Sequence, residues 1–293
     1  MVTLQQVFLD KNTVTMSWSG ASNTYKFSAG SASGLSDLLA ADVTGTTYTW
    51  TAPRTAGIFY VRVAATSGGQ TGTASTELPV FTIDMRNVID ALYFGYGPMS
   101  DANGRAPADT VAVWPDGATI NTLVTAETGP ASLTAAQTFI ADYLTASSNF
   151  ISVPISTTAA TYFGVGLLAI PEDTVVVRVD NTVCPGTGII ACAYYGPRPY
   201  GNGRSTVNLN AAPTGNTPDS WKAIAHEIGH AFGLHHLVMN SSGRPEFQFL
   251  MNPALAVSQL STVEKTAIAV ARQNGIRAGW TRGQAQAAGL VPQ

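Results

Sequence analysis

The chain opens with strand-like alternation. Val14, Met16 and Trp18 alternate with Thr13, Thr15 and Ser17, a period of two that presents one apolar face. Thr47-Tyr48-Thr49-Trp50-Thr51 repeats the pattern, and Phe59, Val61 and Val63 alternate with Tyr60, Arg62 and Ala64. Ser19-Gly20-Ala21-Ser22-Asn23 and Ser67-Gly68-Gly69 punctuate these runs with turn residues. Short strands between regular turns predict an all-β sandwich over residues 1–82. Trp18 and Trp50 read as core residues of that sandwich; the alternative is a carbohydrate platform.

After residue 82 the period changes. Residues 85–93 form a short amphipathic pattern that stops at Gly95-Tyr96-Gly97-Pro98. Ala136, Phe139, Ile140, Tyr143 and Leu144 are spaced for one helix face, predicting a helix over 134–146 with Thr134 and Gln137 as a capping box. Strands are predicted at Thr110–Trp114, Thr174–Val179 and Arg204–Asn210. A second helix begins near Thr217-Pro218-Asp219, with proline in its first turn. A third begins at Ser261, where Ser261 and Glu264 form a capping box, and stops at Asn274-Gly275. Mixed strands and helices predict a second, α+β or α/β domain over 83–293.

Composition narrows the function. Only 11% of the 293 residues are charged and the net charge is -3. Globular chains average about 25% charged. A nucleic-acid binder working through a basic surface is therefore excluded, as is a disordered acidic tail. The longest charge-free stretch, Tyr143 to Pro171, is studded with Ser, Thr, Asn and Pro154, so it does not read as a membrane span. The opening MVTLQQVFLD has no basic segment followed by an apolar run, and reads as no signal peptide.

The chemistry is concentrated in one segment. All 4 histidines, His226, His230, His235 and His236, fall within WKAIAHEIGHAFGLHH, residues 221–236. His226 and His230 are one helical turn apart, about 40° around the axis. Trp221, Ile224, Ala225, Ile228 and Phe232 take the opposite face, so the helix buries its back and turns both imidazoles outward. Gly233 tolerates a sharp reversal that brings His236 to the same point. Three neutral imidazoles leave one position open, the arrangement of catalytic zinc. Glu227 then flanks the open position as a general base and acid. A closed structural zinc site with His235 as a further ligand is the alternative, but it leaves Glu227 without a role. His235 is read as a surface or supporting residue.

His226, Glu227, His230, Gly233 and His236 match H-E-x-x-H-x-x-G-x-x-H in full, and the segment resembles the metzincin clan of zinc metallopeptidases. The clan also carries a methionine turn beneath the metal. Phe249-Leu250-Met251-Asn252-Pro253 is similar to it, and most similar to the matrixins; Met239 is the rival methionine. Pro253 stands where astacins and serralysins carry a tyrosine, so a tyrosine ligand from that turn is excluded. Leu237 is typical of no subfamily. Neither the matrixin cysteine-switch motif nor a serralysin calcium repeat is present. The resemblance implies a secreted zinc endopeptidase acting on proteins or peptides, with one catalytic zinc and no acyl-enzyme. It further implies that the Arg204–Asn210 strand is the edge that pairs with extended substrate. The pocket for the residue after the cut would lie between 237 and 258, a stretch that includes Arg244, Glu246 and Phe247. No calcium-ligand set is legible, since Asp101-Ala102-Asn103-Gly104 reads as a turn.

TTYTWTAPRTAGIFYVRVAAT resembles the region around the fifth and sixth strands of a fibronectin type III domain, with Trp18 as its core tryptophan. Phe59 replaces the family's corner tyrosine, which leaves a fibronectin III-like or Ig-like sandwich as the expectation. Cys184 and Cys192 bracket Pro-Gly-Thr-Gly-Ile-Ile-Ala. They can close as a disulfide or stand as two free thiols in a reducing compartment; an extracellular peptidase favours the bridge. The combined expectation is a monomeric, secreted protein with a sandwich followed by a zinc peptidase domain. A surface-binding or adhesion protein with an inactive zinc domain is the alternative from a different class. In a further variant, Asp84 or Asp101 restrains the enzyme by capping the metal.

Overall fold

The computed structural model describes residues 3–10, 13–52, 58–81, 85–101, 107–184, 190–194, 203–211, 218–238, 249–254 and 257–293. The chain divides into two compact units, Met1–Met85 and Arg86–Gln293. The expected boundary at 82/83 falls outside the described residues, as do Asp84, Met239, Arg244, Glu246 and Phe247.

The first unit is a sandwich of two antiparallel sheets. One holds β1 (Thr3–Asp10), β2 (Thr13–Ser19) and β5 (Thr47–Thr51) in the order β1-β2-β5. The other runs β4 (Leu39–Thr44), β3 (Thr24–Gly30), β6 (Ile58–Ser67), β7 (Gln70–Ala74), with β8 (Leu78–Phe81) also on β6. Alternation explains the interior: Phe59, Val61 and Val63 of β6 are buried while Tyr60 and Arg62 are not. Trp18 packs edge-on against Tyr25 at 5.5 Å, and Trp50 against Phe59 at 5.2 Å. Both tryptophans are buried, which removes the carbohydrate-platform alternative. Phe59, at the expected corner position, contributes its ring to the core.

The second unit begins with α1 (Met85–Phe94) and is organised by a mixed sheet, β10-β9-β11-β13-β12. These strands are β9 (Asn121–Thr125), β10 (Ile155–Thr158), β11 (Thr174–Val179), β12 (Ala191–Tyr194) and β13 (Arg204–Leu209). The four strands β9, β10, β11 and β13 are parallel; β12 closes one edge antiparallel to β13. Helices α2 (Gly129–Ala146) and α3 (Pro218–Ala231) pack on each other over one face. Their seam is aromatic, with Phe232 edge-on to Phe139 at 5.7 Å and to Tyr143 at 5.3 Å. Later come α4 (Thr262–Gln273) and the short α5 (Arg282–Ala287), which Arg282 ties to α1 through a two-pronged ion pair with buried Asp90 at 2.8 Å.

Two sequence expectations need correction. Helix α2 starts at Gly129, five residues before Thr134, because Pro130 suits a first turn; the Thr134 hydroxyl donates back to the Pro130 carbonyl at 3.2 Å instead of capping. Val111–Trp114 is buried but joins no sheet, and Thr110 makes only an isolated antiparallel bridge to Thr281. Val111 exchanges hydrogen bonds with Gly279 and Trp280 instead. The Ser261–Glu264 capping box on α4 forms as read.

Cys184 and Cys192 are bonded, with Cα atoms 5.9 Å apart. The bridge ties β12 to the segment that follows β11. We expect no thiol to titrate in denatured, unreduced protein and two after reduction. Replacing both cysteines by serine should cost about 2–3 kcal/mol in a denaturant titration. Two free thiols before reduction would contradict the pairing.

Candidate metal centre

Helix α3 is built to present two histidines. Ile224, Ile228 and Phe232 are fully buried along one face. His226 and His230 project from the other, their ring centroids 4.7 Å apart. The helix then ends in a tight reversal. Leu234 N–H reaches back to the Gly229 carbonyl at 3.0 Å and Gly233 N–H to that of His230 at 2.8 Å, a paired pattern that requires a left-handed residue between them. Gly233 supplies it, at φ 94°, and lies so close to the Ala112 carbonyl that no β-carbon fits. The reversal delivers His236 to the two helical histidines.

The three rings meet at their Nε2 atoms. Those of His226 and His230 are 3.1 Å apart, and those of His226 and His236 are 3.2 Å apart. All three nitrogens lie within 4.8 Å of one another. The rear nitrogens decide what this contact is. His226 Nδ1 is 2.7 Å from the Leu250 carbonyl and His230 Nδ1 is 2.7 Å from the Leu234 carbonyl. A carbonyl only accepts, so each Nδ1 carries the hydrogen and each Nε2 is a bare lone pair. His236 Nδ1 faces Asp101 Oδ2 at 3.3 Å. Burial pushes the His226 ring down to about 4, and it likewise lowers His230 and His236. The rings are therefore neutral at pH 7.

Neutral rings with lone pairs aimed at one another repel unless an electrophile sits between them. Tetrahedral zinc with nitrogens at 2.0–2.1 Å places neighbouring nitrogens about 3.3 Å apart. The observed spacings fit that edge, so the donor set suits a metal ion held by His226, His230 and His236. Asp101 lies on the rear side of the His236 ring, so it supports that ring and does not cap the site from the front. Of the two readings of His235, surface or supporting, burial removes the first: it is only 2% exposed, outside the trio, with its ring against Gly95.

Glu227 follows His226 and turns towards the sheet edge. Burial raises its carboxyl to about 7, and a hydrogen bond from Ala193 N–H pulls the other way. Ala193 belongs to β12, and here a second correction arises. The Arg204–Asn210 strand is not the edge; β13 lies inside the sheet, between β11 and β12. Asn210 N–H donates to the Ile190 carbonyl at 3.0 Å, which sets the phase of the ladder. Cys192 and Tyr194 bond to β13, while Ala191 and Ala193 turn their N–H and C=O groups to the free side.

Met251 is fully buried, its sulfur against α3 at Gly229. Its carbonyl accepts from Leu237 N–H at 2.9 Å. One participant was not legible in the sequence beyond its cap. Glu264 also accepts from the backbone N–H groups of Leu250 and Met251, at 3.1 and 2.8 Å.

No protein-family model matches the chain, and no curated protein matches it. Solved structures similar to parts of it include the FN5 domain of Drosophila Lar, 19% identical over 28% of this chain and 91% of that one, with a TM-score of 0.25. An Fn3-like protein from Clostridium thermocellum is 29% identical over 26% of this chain and 84% of that one, with a TM-score of 0.23. Pectate lyase Pel3 from Pectobacterium carotovorum is 11% identical over 61% of this chain and 43% of its own, with a TM-score of 0.24. The chain thus spans less than half of that enzyme.

Gly233→Ala tests the reversal that delivers His236. A side chain there meets both a left-handed backbone and the Ala112 carbonyl, and should cost ~2 kcal/mol or more, read as a lower Tm and a lost zinc equivalent. A variant with unchanged Tm and zinc content would contradict this account of the turn.

Proposed function

We propose that the chain is a secreted, zinc-dependent endopeptidase of the metzincin type. The observation that carries this reading is the meeting of three bare imidazole nitrogens beside a half-buried carboxylate, Glu227, at a sheet edge. Zinc bound by His226, His230 and His236 supplies a Lewis acid that acidifies water and polarises a carbonyl. The other steps belong to the protein. An extended peptide adds to the outward groups of β12 as a further strand, which fits a wide range of sequences because the backbone is what is bound. Glu227 takes the proton of the water that attacks the peptide carbon. It returns that proton to the amine nitrogen as the carbon–nitrogen bond breaks. A carboxyl raised to about 7 suits both halves of this exchange. Met251 and the Leu250 carbonyl support the rings from behind.

The secreted assignment draws on the Cys184–Cys192 bridge, since disulfides persist in oxidising surroundings. Among the described residues, no helix is long and apolar enough to cross a membrane. The sandwich at 1–82 is read as an accessory module.

The reading is tested with a complex peptide library, cut by the intact chain and by Glu227→Ala and analysed by mass spectrometry. The intact chain should cut; Glu227→Ala should retain zinc while losing roughly 10³-fold or more in kcat/KM. His226→Ala should lose the metal. Equal cutting by Glu227→Ala, or no cutting by zinc-loaded intact chain, would overturn it.

A further inference from the structure

The Leu250–Met251 pair touches one candidate ligand directly and the chain neighbours of the other two. The Leu250 carbonyl accepts from His226 Nδ1 at 2.7 Å. The Met251 carbonyl accepts at 2.9 Å from the N–H of Leu237, the neighbour of His236. The Met251 sulfur packs against Gly229, the neighbour of His230. Whatever holds this pair in place therefore acts on the whole trio.

One side chain holds it. Glu264 Oε1 accepts from Met251 N–H at 2.8 Å, and Oε2 accepts from Leu250 N–H at 3.1 Å and from Ser261 N–H at 2.7 Å. A helix cap needs only the exchange with Ser261, which an exposed glutamate performs equally well. Here the glutamate is 0% exposed. Removing a carboxylate from water is among the costliest single events in a fold unless donors replace the water. The donors that do so include the two N–H groups of the pair behind the histidines.

We infer that Glu264 is a positioning residue of the metal centre. It holds the Leu250–Met251 backbone so that the Leu250 carbonyl is already set against His226 Nδ1 before an ion arrives. The His226 tautomer and ring orientation are then established in advance, and the trio binds metal more tightly. This inference rests on the reading that the trio holds a metal ion. Glu264→Gln keeps the size but offers one acceptor oxygen and an amide that opposes the N–H donors.

The test compares zinc and cobalt affinity, by competition with a chromophoric chelator, for the full chain, Glu264→Gln and Ser261→Ala at a temperature where each is folded. Glu264→Gln should bind about 10–100-fold more weakly, the scale of groups that orient metal ligands, and its cobalt spectrum should shift. Ser261→Ala removes the cap and one hydroxyl contact to the Glu264 carboxyl but leaves the bonds from Leu250 and Met251 N–H in place; it should lower Tm yet bind within about twofold of the full chain. Equal affinity for Glu264→Gln, or parallel losses in both variants, would overturn the inference. If Glu264→Gln does not fold, the metal-free wild type decides. A protected His226 Nδ1 proton and slow Leu250 and Met251 amides by NMR support pre-setting. Free exchange at those protons until metal is added would overturn it. A wild type that binds neither metal overturns the functional reading along with this one, a pattern distinct from failure in the variant alone.

Discussion

Three neutral imidazoles turned nose to nose dominate the second unit. Their lone pairs, 3.1–3.2 Å apart, repel, and no hydrogen is available to bridge them because the rear nitrogens of His226 and His230 already donate to carbonyls. Such an arrangement is stable only when something electron-poor fills the centre or when the surrounding fold forces it. The surroundings here do much of the forcing. A left-handed glycine aims His236, an aromatic seam anchors the helix carrying His226 and His230, and a buried carboxylate pins the turn behind them. Each of these constraints costs conformational freedom or solvation, and each bears on the proposed metal centre.

The same geometry places the reacting groups. Glu227 follows His226 on α3, so the turn that aims the proposed ligand also aims the proposed base. The sheet brings β12 alongside, and the Ala193 N–H meets the Glu227 carboxylate. The disulfide at Cys192 ties that edge strand down, while Asn208, opposite it on β13, sits in the strand's hydrogen-bonded phase. A substrate chain laid along this edge would therefore run past the carboxylate and the trio together, which is the basis of the proposed peptidase chemistry.

Much of this was legible because it is local. The spacing of His226, His230 and His236 around Gly233 is a matter of helix geometry and one permissive residue. The Ser261–Glu264 cap lies within a single turn. The alternation at Phe59, Val61 and Val63 marks a sandwich strand directly. What was missed depends on distant partners. β12 is only Ala191–Tyr194, too short to show a period, so the edge role that the family resemblance implied went to Arg204–Asn210, a strand now found inside the sheet. Val111–Trp114 is apolar because it is buried, not because it is a strand. The second task of Glu264 is set by a turn thirteen positions earlier, which only the tertiary fold brings to it. Nothing local fixes whether His235 is on the surface or supports the site; the return of the chain past α1 buries it.

The central claim is that three histidine nitrogens share one ion with an open position. X-ray absorption at the zinc edge, on protein loaded with one equivalent, tests it most directly. The expected spectrum shows three imidazole nitrogens at about 2.0–2.1 Å, one further oxygen ligand and no sulfur. A spectrum dominated by sulfur, a fourth imidazole, or zinc bound only loosely through water would contradict it.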